Sequence, residues 1–280
     1  MRSIVIIGAG ELGGALARQI AAADIALRVV LVDDAGTVAA GKALDIRQAA
    51  PVDGYTTEVL GSTDEAAVVA ADAVVIADRV ATGAEWQEDA GVALVRRIAH
   101  LNQSAMLLCA GARQLAMVER GIREGGIARH RLLGSAPEAL RSAILSMTAL
   151  EASCSPTEIS LTVVGRPGAQ IIVPWDDASI GGRRATDVLS PPAITRLDAR
   201  LTRLWPPGPM TLASAATWFL RAAATRGRQT LCAFVVTPEE GERYRVGMLP
   251  VTLNPAGIAT VIAPALNVRD RVRLDTALQR

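Results

Sequence analysis

Four apolar residues, Ile4-Val-Ile-Ile7, run straight into Gly8-Ala-Gly10-Glu-Leu-Gly13, and an alanine-rich stretch with apolar residues at helical spacing covers Glu11 to Ala23. Strand, tight G-x-G-x-x-G turn and helix, in that order, open a βαβ unit. A second short strand, Val29-Val-Leu-Val32, ends on Asp33, twenty residues beyond Gly13. Strands that are apolar throughout, and that alternate with helices, require a parallel sheet covered on both faces. The alternation continues. Val38–Ala49 reads as a helix stopped by Pro51. Thr57–Leu60, Ala73–Ala77 and Ala105–Cys109 read as strands, Ala84–Leu101 and Ala112–Arg123 as helices, and Arg131-Leu-Leu133 closes the series.

The glycines have separate tasks. Gly8 permits the tight turn, Gly10 lets the backbone approach a pyrophosphate, and Gly13 lets the helix pack on the strand. The first turn of the helix supplies N–H groups and a partial positive charge for phosphates. Asp33 is placed to accept both ribose hydroxyls and to repel a 2′-phosphate, which favours NAD over NADP. The expected cofactor-binding residues are Gly8, Gly10, Glu11, Leu12, Gly13 and Asp33, with Glu11 contributing its N–H and turning its side chain to solvent. The fold class expected is α/β, a Rossmann doubly wound parallel sheet followed by an α+β domain.

Composition removes several other classes. Hydrophobic residues are 50% of the 280, enough for a sizeable core and too many for a disordered chain. Lys+Arg number 29 against 28 Asp+Glu, so no basic surface for nucleic acid or an anionic membrane is implied. Cys109, Cys154 and Cys232 form no close-spaced pair, which argues against a disulfide framework or a structural zinc site. Ile4–Ile7 is too short for a signal peptide. The uncharged stretch from Val246 to Leu266 is broken by Pro250, Asn254, Pro255, Gly257 and Pro264 into strand–turn–strand, not a membrane span. A cytoplasmic protein without nucleic-acid or membrane partners is expected.

The second half changes character. Pro137–Leu150 reads as a helix with Ser135 as a cap, and Ile159–Val164 and Ile171–Val173 read as strands. Trp205-Pro-Pro-Gly-Pro209 is a break before a helix over Leu212–Ala224. Thr230–Val236, Tyr244–Leu249 and Ile258–Ile262 read as antiparallel strands. The boundary is placed near Ala136, giving a dinucleotide-binding domain over 1–136 and a substrate domain over 137–280.

Several patches, in order, carry a resemblance. Gly8–Gly13, Asp33, Gly41-Lys-Ala-Leu-Asp45, Ala50-Pro-Val-Asp-Gly54, Arg131-Leu-Leu-Gly134, Ser155-Pro-Thr-Glu-Ile159, Val173-Pro174, Gly208–Thr217 and Gly247–Ala263 together resemble the lactate/malate dehydrogenase family, closest to its bacterial NAD-dependent malate dehydrogenases. The resemblance implies NAD as cofactor and dimers or tetramers. It also implies a catalytic set: a histidine base in a Gly-x-His-Gly turn, an Asp-x-x-Arg helix whose aspartate orients it and whose arginine binds the substrate carboxylate, and a mobile-loop arginine that polarises the carbonyl.

Those positions are not filled here. The Gly-x-His-Gly turn is matched by Gly165-Arg-Pro-Gly168, which puts Pro167 at the base position. Counted from Gly134, Leu140 stands for the orienting aspartate and Ala143 for the carboxylate-binding arginine. The loop, shortened here to Thr82-Gly-Ala-Glu-Trp86, brings Trp86 to the polarising position, and Ala110-Gly111 matches the family's Asn-Pro turn. Glu138-x-x-Arg141 has the right spacing two residues early, about 200° around a helix, and reads as an exposed i,i+3 ion pair. His100 at a helix end and His130 in a basic loop read as solvent-facing. Asp176-Asp177 reads as a capped turn, and Arg166, Arg183 and Arg184 as a solvated basic face. No metal site is expected. The reading is a pseudoenzyme that binds NAD(H), as a homo-oligomer or paired with an active paralogue. The alternative is an active NAD-dependent oxidoreductase with a less polar substrate, with Arg79, Glu85 or Arg166 as helpers.

Overall fold

The computed structural model describes residues 1–167, 170–225, 227, 229–238 and 244–278. The first half forms β1 (Ser3–Ile7), α1 (Glu11–Ala22), β2 (Arg28–Val32), α2 (Gly36–Asp53), β3 (Glu58–Ser62), β4 (Ala73–Ile76), α3 (Glu88–Leu101), β5 (Met106–Cys109), α4 (Leu115–Arg123) and β6 (Leu132–Gly134). Then come α5 (Ala136–Ala152), β7 (Ile159–Ser160), β8 (Val164–Arg166), β9 (Gln170–Ile172), β10 (Ser179–Ile180), β11 (Arg183–Arg184), α6 (Ala185–Val188), α7 (Pro191–Asp198), α8 (Pro209–Thr225), β12 (Leu231–Pro238), β13 (Tyr244–Asn254), β14 (Gly257–Val261) and α9 (Val268–Leu278).

The strands lie in the order β3-β2-β1-β4-β5-β6, all parallel. Their apolar runs explain why. Ile4, Val5 and Ile6 are fully buried, as are Val74, Val75 and Ile76 of β4, so both faces of the sheet need helices. Each such side chain removed from water contributes ~1.5–3 kcal/mol. The chain reverses direction across the sheet between β1 and β4. At such a switch point the connections leave to opposite faces and open a crevice beyond the carboxyl ends of the strands.

The sheet does not stop at β6. Phe234 of β12 pairs antiparallel with Gly134, where a side chain on residue 134 would meet the Phe234 ring at 2.8 Å. β12 continues into β13, then β8 and β9, with β14 on β13. A small sheet of β7, β10 and β11 lies apart. Helix α8 packs along α1, so the start of α8 lies close to the glycine turn.

Four local expectations need correction. α2 runs through Pro51 to Asp53, because Gly54 at φ +77° closes it by donating to the Ala50 carbonyl. α3 begins at Glu88 instead of Ala84, because residues 78–87 form a hairpin. The strand read over Ile159–Val164 is two short ones, β7 and β8. Ser135 makes no side-chain cap, and its hydroxyl is buried without a hydrogen-bond partner among the described residues. Among the described residues, no helix is long and apolar enough to cross a membrane.

Candidate functional site

The glycine turn lies at the carboxyl end of β1. Gly8 takes φ +109°, and a side chain there would strike the Asp78 backbone at 2.3 Å. A side chain on Gly13 would strike the Gly8 carbonyl at 1.9 Å, which fixes how closely α1 packs on β1. Lys42, the chain's only lysine, reaches from α2 and donates to the carbonyls of Ala9 (2.7 Å) and Gly10 (2.6 Å). Asp33, 7% exposed, accepts on Oδ2 from the N–H groups of Ala9 (2.8 Å) and Val80 (3.1 Å) and on Oδ1 from Ala35 (3.0 Å). A carboxylate has about four lone-pair sites, so three are already used.

The phosphate side of the turn holds a carboxylate from elsewhere in the chain. Asp78, just past β4, accepts from Leu12 N–H on Oδ2 (3.1 Å) and from Gly13 N–H on Oδ1 (2.9 Å). A Cβ placed on Gly10 would lie 2.3 Å from Asp78 Oδ2. The space that Gly10 leaves open, and the donors at the start of α1, are therefore filled by Asp78.

Asp78 begins a hairpin that ends in α3. Asp78 and Glu85 pair antiparallel, Arg79 N–H donates to the Ala84 carbonyl at 2.9 Å, and Trp86 N–H donates to the Ala77 carbonyl at 3.4 Å. The Arg79 guanidinium lies 4.6 Å over the Trp86 ring. Arg79 Nε and Trp86 Nε1 are buried and unbonded among the described residues. At the far end Glu85 accepts from Ala112 N–H (2.9 Å) and Arg113 N–H (2.7 Å), beyond β5. A side chain on Gly111 would lie 2.3 Å from Glu85 Oε2. Burial raises the Glu85 pKa above the ordinary carboxylate value, against the opposing pull of those two N–H groups. Beneath it, burial pushes the Cys109 thiol up to about 12, with the Glu85 charge adding to the effect.

Between this hairpin, the first turn of α1 and the start of α8 lies a cleft of about 410 Å³, with Glu11, Asp78, Glu85, Arg113, Pro206 and Leu212 on its walls. Glu11 is exposed there. Leu12 and Gly13 are where the sequence expects them, but their N–H groups are engaged. A dinucleotide pyrophosphate would need the approach over Gly10 and those same donors, so the residues present do not fit NAD while Asp78 occupies them. The sequence did hold a signal for this: a charged residue ends the apolar run Ala73–Ala77 and so sits at the lip of the switch-point crevice.

The other expected positions are as follows. Leu140 is fully buried, and Ala143, Trp86 and Pro167 are partly buried. None carries a proton acceptor. Gly168 lies outside the described residues. Among the described residues no histidine lines the cleft; His100 and His130 are exposed and share a different surface depression with Arg96 and Glu124. No group of His, Cys, Asp or Glu suited to a metal occurs among the described residues. Arg166 pairs with Glu119 at 3.6 Å, and Arg183 and Arg184 are exposed on β11. Asp176 accepts from Asn267 at 2.7 Å.

The exposed Arg113 lies on the cleft wall, placed there by the Glu85-anchored turn after β5. One expectation about charge is overturned: Glu138–Arg141 is not an exposed pair. Glu138 is 6% exposed, accepts from Arg141 Nε at 3.0 Å and from Cys232 N–H at 2.8 Å, and so ties α5 to β12. Its helix face packs on the sheet instead of facing solvent. Burial works against the Arg141 charge, but the Glu138 carboxylate outweighs it and raises the Arg141 pKa.

No family model matches the chain. Curated relatives match it almost end to end. Malate dehydrogenase of Thioalkalivibrio sulfidiphilus is 29% identical over 99% of this chain and 96% of its own length, and that of Dehalococcoides mccartyi is 25% identical over 100% and 96%. Among solved structures, the lactate dehydrogenase of Cryptosporidium parvum, complexed with lactic acid and nicotinamide adenine dinucleotide, superposes with a TM-score of 0.87 at 18% identity over 99% of this chain and 95% of that one. Malate dehydrogenase of Salinibacter ruber gives 0.85 at 20% identity over 98% and 93%. In sequence the chain is similar to malate dehydrogenases along its whole length, and it has the same sheet and helix arrangement as solved lactate and malate dehydrogenases, so its likeness is to the lactate/malate dehydrogenase family.

Proposed function

We propose that the protein is a pseudoenzyme of this family, a dehydrogenase-like subunit that does not interconvert 2-hydroxy and 2-oxo acids. One observation carries the proposal: the cleft at the switch point contains no imidazole among the described residues, and its two inner carboxylates, Asp78 and Glu85, are already bonded to backbone N–H groups. Oxidising a hydroxy acid needs a group to take the hydroxyl proton and a cation to grip the carboxylate. Leu140, Ala143, Pro167 and Trp86, at the matching positions, supply neither. Loss of a general base alone lowers a rate by ~10²–10⁴, and loss of the electrostatic partners lowers it further.

NAD(H) belongs to this reading as a ligand and not as a redox reagent. Gly8, Gly10, Glu11, Leu12, Gly13 and Asp33, in residues 1–136, form a dinucleotide frame, and residues 137–280 form the substrate side. The subunit is cytoplasmic and works as a homo-oligomer or with an active paralogue. Arg113 and Glu85 on one cleft wall favour a second reading, an NAD-dependent oxidoreductase in which Arg113 holds an anionic or polar group of a different substrate. NADH oxidation measured with a panel of 2-oxo acids, ketones and aldehydes separates the two. The pseudoenzyme reading expects no rate above background. Turnover approaching the usual ~1–10³ s⁻¹ overturns it. Co-expression with an active malate dehydrogenase from the same cell, followed by size-exclusion chromatography, tests the pairing.

A further inference from the structure

Two sets of backbone donors open into the crevice: Leu12 and Gly13 at the start of α1, and Ala112 and Arg113 beyond β5. Each set is satisfied by a carboxylate, and both carboxylates come from one ten-residue hairpin, Asp78 on the first set and Glu85 on the second. Each carboxylate also occupies space that a missing side chain leaves. A Cβ on Gly10 or on Gly111 would lie 2.3 Å from a carboxylate oxygen. The two acids are register partners, so they are presented together. Trp86, packed against the core with Arg79 stacked on it, anchors the hairpin from below. Lys42 holds the glycine turn from the other side through the Ala9 and Gly10 carbonyls.

We infer that the hairpin Asp78–Gln87 is the groove's own anionic ligand, and that a dinucleotide enters only by displacing the Asp78 carboxylate from Leu12 and Gly13. Backbone N–H groups at a helix N-terminus bind whichever anion reaches them. Asp78 reaches them within the same chain, with its geometry fixed by β4, so it competes at a high effective concentration. It also repels: a second anion about 4 Å from a fixed carboxylate at a partly buried site is weakened by roughly a hundredfold or more. The same two bonds remove the unsatisfied donors that an open turn would leave, so the fold is complete without a cofactor. This goes beyond the functional proposal, because it concerns binding and makes no claim about turnover.

The test uses the full chain as wild type, Asp78→Asn and Asp78→Gly, with NADH and inorganic pyrophosphate as the probes. NADH binding is read by fluorescence and calorimetry, and stability by thermal melting. The expectation is that Asp78→Asn, which keeps an acceptor and loses the charge, binds NADH at least tenfold more tightly than wild type. Asp78→Gly should melt lower than wild type and recover when pyrophosphate takes over the freed donors. Equal NADH affinity in wild type and Asp78→Asn overturns the inference. So does a wild-type complex with NADH in which Asp78 still bonds to Leu12 and Gly13. If no variant gains affinity and pyrophosphate does not raise the Asp78→Gly melting point, Asp78 is not what closes the groove. Should Asp78→Gly fail to fold, the Asp78→Asn affinity decides. A variant that binds NADH without reducing any 2-oxo acid leaves the functional proposal standing, so the two can fail separately.

Discussion

Replacing Gly10 by alanine distinguishes a self-filled phosphate turn from an open one without any ligand. Gly10 has φ −68° and ψ −155°, so whatever alanine costs on the backbone is the same with or without Asp78 and cancels in a double-mutant cycle. Here the new methyl would lie 2.3 Å from Asp78 Oδ2 and 2.4 Å from its Cγ, so the carboxylate must withdraw by about 1 Å. Withdrawal breaks or stretches its bonds to Leu12 and Gly13, hydrogen bonds to a charged group worth ~1.5–3 kcal/mol each. Gly10→Ala should therefore destabilise the protein by ~2–4 kcal/mol in urea titrations. In an Asp78→Ala background the three nearest atoms, all of the carboxylate, are gone, and the same change should cost ~2–3 kcal/mol less. The cycle over the four proteins should show a coupling of ~2–3 kcal/mol, in the range found for residues in direct contact. Additive effects, within ~0.5 kcal/mol, would refute the placement of Asp78 over Gly10.

Three further outcomes are expected. Glu138→Gln should cost ~3–5 kcal/mol in urea unfolding, because it removes the charge opposite a mostly buried Arg141; a cost below ~1 kcal/mol would mean the pair is solvated. In native protein a thiol reagent at neutral pH should titrate one cysteine, Cys154, because Cys109 and Cys232 are buried and their thiols lie at about 12; all three should react in denaturant. The Arg97 guanidinium holds Glu65 below the ordinary carboxylate value of 4.5. A folded-state pKa below the unfolded one stabilises at neutral pH, and that stabilisation is lost as pH falls below about 4.5. With Arg97 half exposed, solvent screening limits the effect of Glu65→Gln to under ~1 kcal/mol at pH 7, shrinking further at pH 3.

The parallel sheet was legible because its signals are local and redundant: unbroken apolar tetrads at Ile4–Ile7 and Val29–Val32, each joined to a helix by glycine or acid. The glycine turn was legible for the same reason. What occupies it was not. Asp78 lies sixty-five residues from Gly13, and only the β1–β4 pairing brings it there. The sequence reading likewise began a helix at Ala84. The tertiary bonds of Glu85 to Ala112 and Arg113 instead pull that segment into a hairpin. Glu138 shows the same limit from the other side. Its i,i+3 spacing to Arg141 is a surface pattern, and only the docking of α5 on β12 buries it.

The two sides of the cleft are physically linked through one hairpin. A dinucleotide fold without its ligand leaves helix N–H groups and a turn after β5 facing a crevice. Each buried donor left unbonded costs ~1–3 kcal/mol. The chain meets that cost with its own acids, Asp78 and Glu85, on a loop in which Arg79 stacks over Trp86. The hairpin that carries Trp86 is the same one that carries Asp78 to the Leu12 and Gly13 N–H groups. On the proposed reading, Pro167→His alone should give no NADH oxidation with 2-oxo acids, because Asp78 would still hold the Leu12 and Gly13 donors that a cofactor needs.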